Sequence, residues 1–205
     1  FLLLSTGTWC INMNPFNDEI LTAGQLDKDC LCYMSITRQP VKSSRLFLGH
    51  LHDTGLKLIN DHFDKDYNYY KSVITDKKLV KALKSRYSNK KIFFETEVYP
   101  WEYRKYVDLY EFPSFEEAYH RLLIELCDLT ADSIRLVIPE KDDIENLYIT
   151  GGFSRNELFL HLMCEAFPDK KVFSSEISNS SALGAALVVS GKQTGLNLEL
   201  TECLI

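Results

Sequence analysis

Apolar positions along this chain follow two periods, and the switches between them mark its elements. Phe1-Leu2-Leu3-Leu4 is a continuous apolar run that predicts a buried strand. Ser5-Thr6-Gly7-Thr8 then leads into Trp9-Cys10-Ile11-Asn12-Met13, and strand, glycine turn and strand predict a hairpin with Trp9 in its core. Asn14-Pro15-Phe16-Asn17-Asp18 closes the second strand with turn residues. Residues 31–36 and 45–48 predict two further strands. Leu51, Leu58, Ile59, His62 and Phe63 recur at helical spacing, with Asp53 placed to cap a helix from Thr54 onward.

The next segment, 64–113, has no clean period. Asp64 to Tyr70 is a polar and aromatic loop. Asp76 caps a predicted basic helix whose buried side is Leu79, Val80 and Leu83. The clusters Ile92-Phe93-Phe94 and Tyr99-Pro100-Trp101 look like an insertion that packs aromatic rings on the body. Order returns at Ser114-Phe115-Glu116-Glu117, a capping box that opens a helix through Ala118, Tyr119, Leu122, Leu123 and Leu126. A strand follows at 146–150 and a helix at 155–167, stopped by Pro168. A short strand at 172–174 and a small-residue helix at 180–189 complete the series. In that last helix Gly184-Ala185-Ala186 predicts close approach of another backbone.

Strands first, then alternating helix and strand, is the ribonuclease-H-like order βββαβαβα. It is an α/β fold with a mixed sheet flanked by helices. With 205 residues and 45% hydrophobic content the chain can form one globular domain. A net charge of −6 argues against a general nucleic-acid binder, and no apolar run is long enough to span a bilayer. The six cysteines form no Cys-x-x-Cys pair and are expected as reduced core thiols of a cytoplasmic protein. Phe1 is not an initiator Met and opens in mid-strand, so the expectation is a domain from a longer protein.

Three short stretches carry candidate chemistry. Thr150-Gly151-Gly152-Phe153-Ser154-Arg155-Asn156 joins a strand to a helix through a glycine pair, a turn that lets backbone approach a ligand closely. It resembles the Gly-Gly-x-Ser-Arg-Asn adenosine motif of sugar kinases. Ser5-Thr6-Gly7-Thr8-Trp9 resembles the Ser-Ser-Gly-Thr-Trp phosphate hairpin of rhamnulokinases and related enzymes. Ser181-Ala182-Leu183-Gly184-Ala185-Ala186 is similar to the Ala-x-Gly-Ala-Ala helix that closes their nucleotide domain. The three occur in family order across nearly the whole chain. The chain therefore resembles the C-terminal, ATP-binding domain of an FGGY carbohydrate kinase of the rhamnulokinase or L-fuculokinase type, within the actin/hexokinase/Hsp70 superfamily.

The resemblance implies ATP-dependent phosphorylation of a ketose, with residues 1–205 as the nucleotide half and 64–113 as an insertion within it. ATP-binding residues would be Thr6, Gly7, Thr8, Gly49, Gly151, Gly152, Ser154 and Asn156. A turn with Gly7 and Thr8 can present N–H groups and a hydroxyl to the β- and γ-phosphates. Gly151 and Gly152 would leave a shelf for adenine and ribose, while Ser154 could serve either as a helix cap or as a ligand contact. Mg²⁺ would bridge the phosphates and keep several waters. The catalytic base is implied upstream of Phe1, on an N-terminal sugar-binding domain. Expected partners are the sugar, ATP, that domain and a second copy in a candidate homodimer, with no nucleic acid and no membrane.

Other features have plainer readings. His52-Asp53-Thr54 imitates a kinase base motif, but its position after the hairpin argues against catalysis by Asp53. His50 and His52 would share a strand face without a fourth ligand at metal spacing, so no metal is expected there. Lys77, Lys78, Lys81, Lys84 and Arg86 read as a solvated helix face. The alternative functions are a non-catalytic nucleotide-binding domain of the same superfamily and a structural domain whose glycines only make turns.

Overall fold

The computed structural model describes residues 1–88, 90–95, 102–103, 107–175, 177, 179–191 and 200–203. Strands β1 (Leu2–Thr6) and β2 (Cys10–Asn14) form the predicted hairpin, with Leu4 opposite Asn12 and Thr6 opposite Cys10. A short helix α1 (Ala23–Leu26), capped by Thr22, leads to β3 (Cys30–Met34) and β4 (Pro40–Leu46). β4 pairs with β2, and β3 lies outside it at one edge. The strand expected at 45–48 thus begins earlier and ends before Leu48.

Helix α2 (Leu48–Phe63) starts one turn earlier than its spacing predicted. His50, His52 and Asp53 are therefore helical, so no strand face joins the two histidines, and Asp53 lies inside the helix instead of capping it. Asp76 does cap α3 (Lys77–Arg86), accepting from the N–H groups of Lys78 and Leu79, and Val80 and Leu83 are buried as expected. Ser114 caps the long α4 (Phe115–Arg135) by accepting from Glu117 N–H. The Glu117 carboxylate pairs with the Arg86 guanidinium.

Between α3 and α4, Phe94–Glu95 (β5) and Glu102–Tyr103 (β6) form a two-stranded ribbon. Ile92, Phe93 and Phe94 pack into the core as predicted, whereas Tyr99, Pro100 and Trp101 lie outside the described residues. The buried carboxylate of Glu125 holds this segment. It accepts from the backbone N–H of Ile92 at 2.6 Å, of Phe93 at 3.0 Å and of Phe94 at 3.3 Å. Arg121 bonds the same carboxylate at 2.8 Å and reaches the Lys90 carbonyl, so the buried charge is both paired and fully hydrogen-bonded.

β7 (Asn146–Gly151), a 3₁₀ turn (Gly152–Arg155), α5 (Glu157–Ala166), β8 (Lys171–Ser175), α6 (Ser180–Ser190) and β9 (Leu200–Glu202) complete the fold. The seven-stranded sheet has the order β3-β4-β2-β1-β7-β8-β9, with β1, β7 and β8 parallel. Period-2 burial puts Leu2 and Leu4 of β1, Leu147 and Ile149 of β7 and Val172 of β8 in the core. On the same face, Asn12 bonds Ser133 and Asn14 bonds the Val137 carbonyl at the end of α4. The opposite face carries a half-exposed aromatic row, Phe1, Tyr148 and Phe173. A Cβ on Gly184 of α6 would meet nothing within 4 Å, so the close packing expected of Gly184-Ala185-Ala186 is not seen among the described residues. All six cysteines are free thiols.

Candidate nucleotide site

Parallel pairing of β1 with β7 sets Thr6 directly beside Gly151 at the carboxyl ends of the two strands. In open α/β sheets this is where ligand crevices form. The packing there depends on a missing side chain. Gly151 has φ +93°, and a Cβ would stand 1.8 Å from the Thr6 carbonyl oxygen. The Thr6 hydroxyl completes the join by donating to Thr150 O at 2.6 Å and accepting from Phe153 N–H at 3.1 Å.

The hairpin turn is fixed from its other side by α2. Gly49 N–H donates to Thr8 O at 3.0 Å, and a Cβ on Gly49 would lie 2.6 Å from the Gly7 carbonyl oxygen. Gly7 N–H is itself turned back to Trp9 O at 2.9 Å. Thr8 is exposed, and its hydroxyl has no hydrogen bond among the described residues. Trp9 is not the core residue expected of it. It is 42% exposed and stacks on Phe47 at 4.5 Å, with Phe47 stacked in turn on His50.

These contacts leave a cleft of about 950 Å³ between the hairpin turn, the start of α2, residues 70–75 and the segment Gly152 to Leu158. Gly7, Thr8, Gly49, Gly152 and Asn156 all line it. Gly152 differs from its neighbour: a Cβ there would meet nothing within 4 Å, so its backbone faces open space. Gly152 and Arg155 also border a second cavity of about 490 Å³, walled by Ser5, Thr150 and Ser180. A groove of about 260 Å³ between α3, α4 and α5 is lined by ion-paired side chains and holds none of the candidate residues.

Thr6, Gly151 and Ser154 stand just behind the cleft wall. The Ser154 hydroxyl is buried and bonds the carbonyls of Gly151 and Ser175, at 2.8 and 3.0 Å. The helix cap falls on Asn156 instead, whose Oδ1 accepts from Phe159 N–H at 3.0 Å. Its Nδ2 donates to the Tyr119 hydroxyl at 3.0 Å. The sequence offers His52 only as part of an imitated base motif and a rejected metal face, and helical spacing alone puts Tyr119 on a core face.

His52 Nε2 lies 3.5 Å from the Tyr119 hydroxyl and Nδ1 lies 3.3 Å from Asp53 Oδ1. A neutral imidazole with its proton on Nδ1 satisfies both contacts. Burial lowers the His52 pKa, against the hydrogen bond and charge of Asp53, and burial raises that of the Tyr119 phenol. Both groups are thus neutral polar walls near pH 7. Asp53 borders the cleft and accepts from Tyr67 at 3.3 Å. No group of three metal-ligating side chains occurs among the described residues.

No family model and no curated protein matches this sequence. Solved structures do. A carbohydrate kinase from Novosphingobium aromaticivorans is 19% identical with a TM-score of 0.64, over 98% of this chain and 42% of that one. A ligand-bound xylulose kinase from Lactobacillus acidophilus is 12% identical with a TM-score of 0.66, over 98% and 41%. A gluconate kinase from the same organism gives 12%, 0.66, 98% and 42%. The chain spans about two fifths of the length of these structures. At such identities the likeness is one of architecture: a mixed sheet flanked by helices, the actin/hexokinase/Hsp70-like fold that these carbohydrate kinases share.

Proposed function

We propose that this chain is the ATP-binding part of a carbohydrate kinase, with the nucleotide in the cleft between the hairpin turn and the Gly152 segment. One observation carries the reading. Three segments far apart in sequence, at Gly7-Thr8, Gly49 and Gly152 to Asn156, converge on one cleft, and at Gly152 the backbone faces it without a side chain. Its volume lies within the roughly 300–1,000 Å³ of small-molecule sites. The Thr8 hydroxyl and the backbone of the turn would meet the β- and γ-phosphates, while Gly152 and Asn156 would border adenine and ribose. Thr6, Gly151 and Ser154 would contribute through backbone position, since their side chains or missing Cβ atoms are engaged in the join. Mg²⁺, carried on the phosphates, would neutralise charge during transfer, so the protein need supply only position and polar contacts.

The acceptor in this reading is a ketose such as rhamnulose or fuculose, held by a sugar-binding domain outside this chain that also bears the base. Residues 64–113 form an insertion, and the protein acts in the cytoplasm. The test is calorimetric titration of the chain with ATP and Mg²⁺, alongside Gly152→Val. We expect saturable binding that weakens at least about tenfold, roughly 1.4 kcal/mol, in the variant, with an unchanged melting temperature. Absence of binding, or equal binding by the variant, removes the cleft as the nucleotide site. The isolated chain should not phosphorylate rhamnulose or fuculose. Turnover that disappears in Asp53→Asn would return the base to this chain.

A further inference from the structure

We propose that Cys164 and Cys203 form a redox-active thiol pair that closes to an intramolecular disulfide when the protein meets an oxidised low-molecular-weight disulfide such as glutathione disulfide. The pair lies away from the nucleotide cleft. β9 joins the sheet edge by pairing with β8, Ser174 opposite Thr201, and Cys203 N–H extends the ladder by donating to Val172 O at 2.9 Å. That places Cys203 against the last turn of α5. There the Cys164 thiol donates to the Cys203 carbonyl at 3.5 Å, while the Cys203 thiol faces the Thr201 carbonyl at 3.9 Å.

The two sulfurs differ in access. Cys203 is half-buried at the edge, and the neighbouring Cys164 thiol lowers its pKa against desolvation. Cys164 is buried, and the same contact followed by burial raises its pKa. The reagent can reach the half-buried Cys203 but not the buried Cys164, so Cys203 is the attacking thiolate and Cys164 the resolving thiol. The Cys203 thiolate attacks the reagent's S–S bond and expels one thiol, leaving a mixed disulfide. Cys164 then loses its proton, attacks the Cys203 sulfur and expels the second. Two electrons pass from the protein thiols to the reagent, giving one protein S–S bond and two reduced thiols.

The other cysteines compete poorly. Burial pushes the Cys10 thiol up to about 12 and raises Cys127 well above the usual thiol range. Cys30 is buried, which leaves Cys32 as the exposed rival. The bridge would staple β9, a three-residue edge strand with no buried position, to the helix that Asn156 caps. Its formation does not depend on the nucleotide reading.

The test is oxidation of the folded chain with glutathione disulfide, followed by acid quench and peptide mass mapping. We expect a Cys164–Cys203 linked peptide as the main product, with a higher melting temperature. Cys164→Ser should stop the reaction at glutathionylated Cys203, and Cys203→Ser should leave Cys164 unmodified. Adducts confined to Cys32, a persistent mixed disulfide on Cys203 in the unsubstituted protein, or scrambled pairing among all six cysteines would overturn the proposal.

Discussion

The carboxamide of Asn156 donates to the phenolic oxygen of Tyr119 at 3.0 Å while its own oxygen caps α5. One side chain thus fixes the start of a helix and the wall of the cleft. Tyr119→Phe keeps the ring but removes the acceptor, and should cost about 1 kcal/mol of stability. Asn156→Ala loses the cap as well and should cost about 1–2 kcal/mol. Denaturant titration of the two variants and their combination should show a shortfall from additivity of at least about 0.5 kcal/mol. Strict additivity would mean that the bond contributes nothing.

Adjacent glycines should behave oppositely. Gly151→Ala forces a Cβ to within 1.8 Å of the Thr6 carbonyl at φ +93°, and should cost more than about 3 kcal/mol. Gly152→Ala enters open space and should alter stability by less than about 0.5 kcal/mol. Urea midpoints measure both. Equal effects would show that the strand-end join is looser than its geometry.

Thr8→Val separates ligand contact from turn stability. The hydroxyl makes no hydrogen bond to the described residues, so the variant should keep its melting temperature. In a protein that also carries the sugar domain, kcat should fall more than ADP affinity, because ADP lacks the γ-phosphate. A lowered melting temperature with normal kcat would take Thr8 out of the site.

Glu125→Gln should leave Arg121 buried without its counter-charge and loosen the N–H groups of residues 92–94. A loss of about 3–5 kcal/mol is expected, measured by denaturant titration. If the loss is under about 1 kcal/mol, water reaches this carboxylate.

Stability should decline on acidification. Burial is the largest cause lowering the pKa of His52, His120 and His161. His120 shows the reason: its Nε2 accepts from Asp76 N–H at 3.1 Å, a bond the protonated ring cannot make. The unfolded chain therefore takes up protons first, near pH 6.5. The full contribution is present above that value and is lost as pH falls toward the depressed folded values. Urea midpoints at pH 7.5 and 5.5 should show the drop, and His120→Gln should shrink it. A flat profile would mean that the unfolded and folded histidines titrate alike.

Features that depend on near neighbours are legible in the residue order. Period-2 burial in β1 and β2, the caps at Asp76 and Ser114 and the strand–helix order follow from residues within a few positions of one another, so they were legible. Expectation and structure differ where local signals are ambiguous. Leu48, Gly49 and His50 carry no cap signal, so the sequence predicts strand up to Leu48 and a later helix start, with Asp53 as its cap, where α2 begins at Leu48. Trp9 is apolar yet 42% exposed, because hydrophobicity does not say which side of a turn is covered. Which glycine is for packing and which is open depends on the backbone that folding brings opposite. Thr6 and Thr150 are bonded across 144 positions of chain. Glu125 gathers the N–H groups of a segment some thirty residues upstream, and Cys203 meets Cys164 only once β9 has joined β8. No local pattern encodes such meetings. They follow from long-range packing of whole elements, which fixes the cleft and the roles of the residues around it.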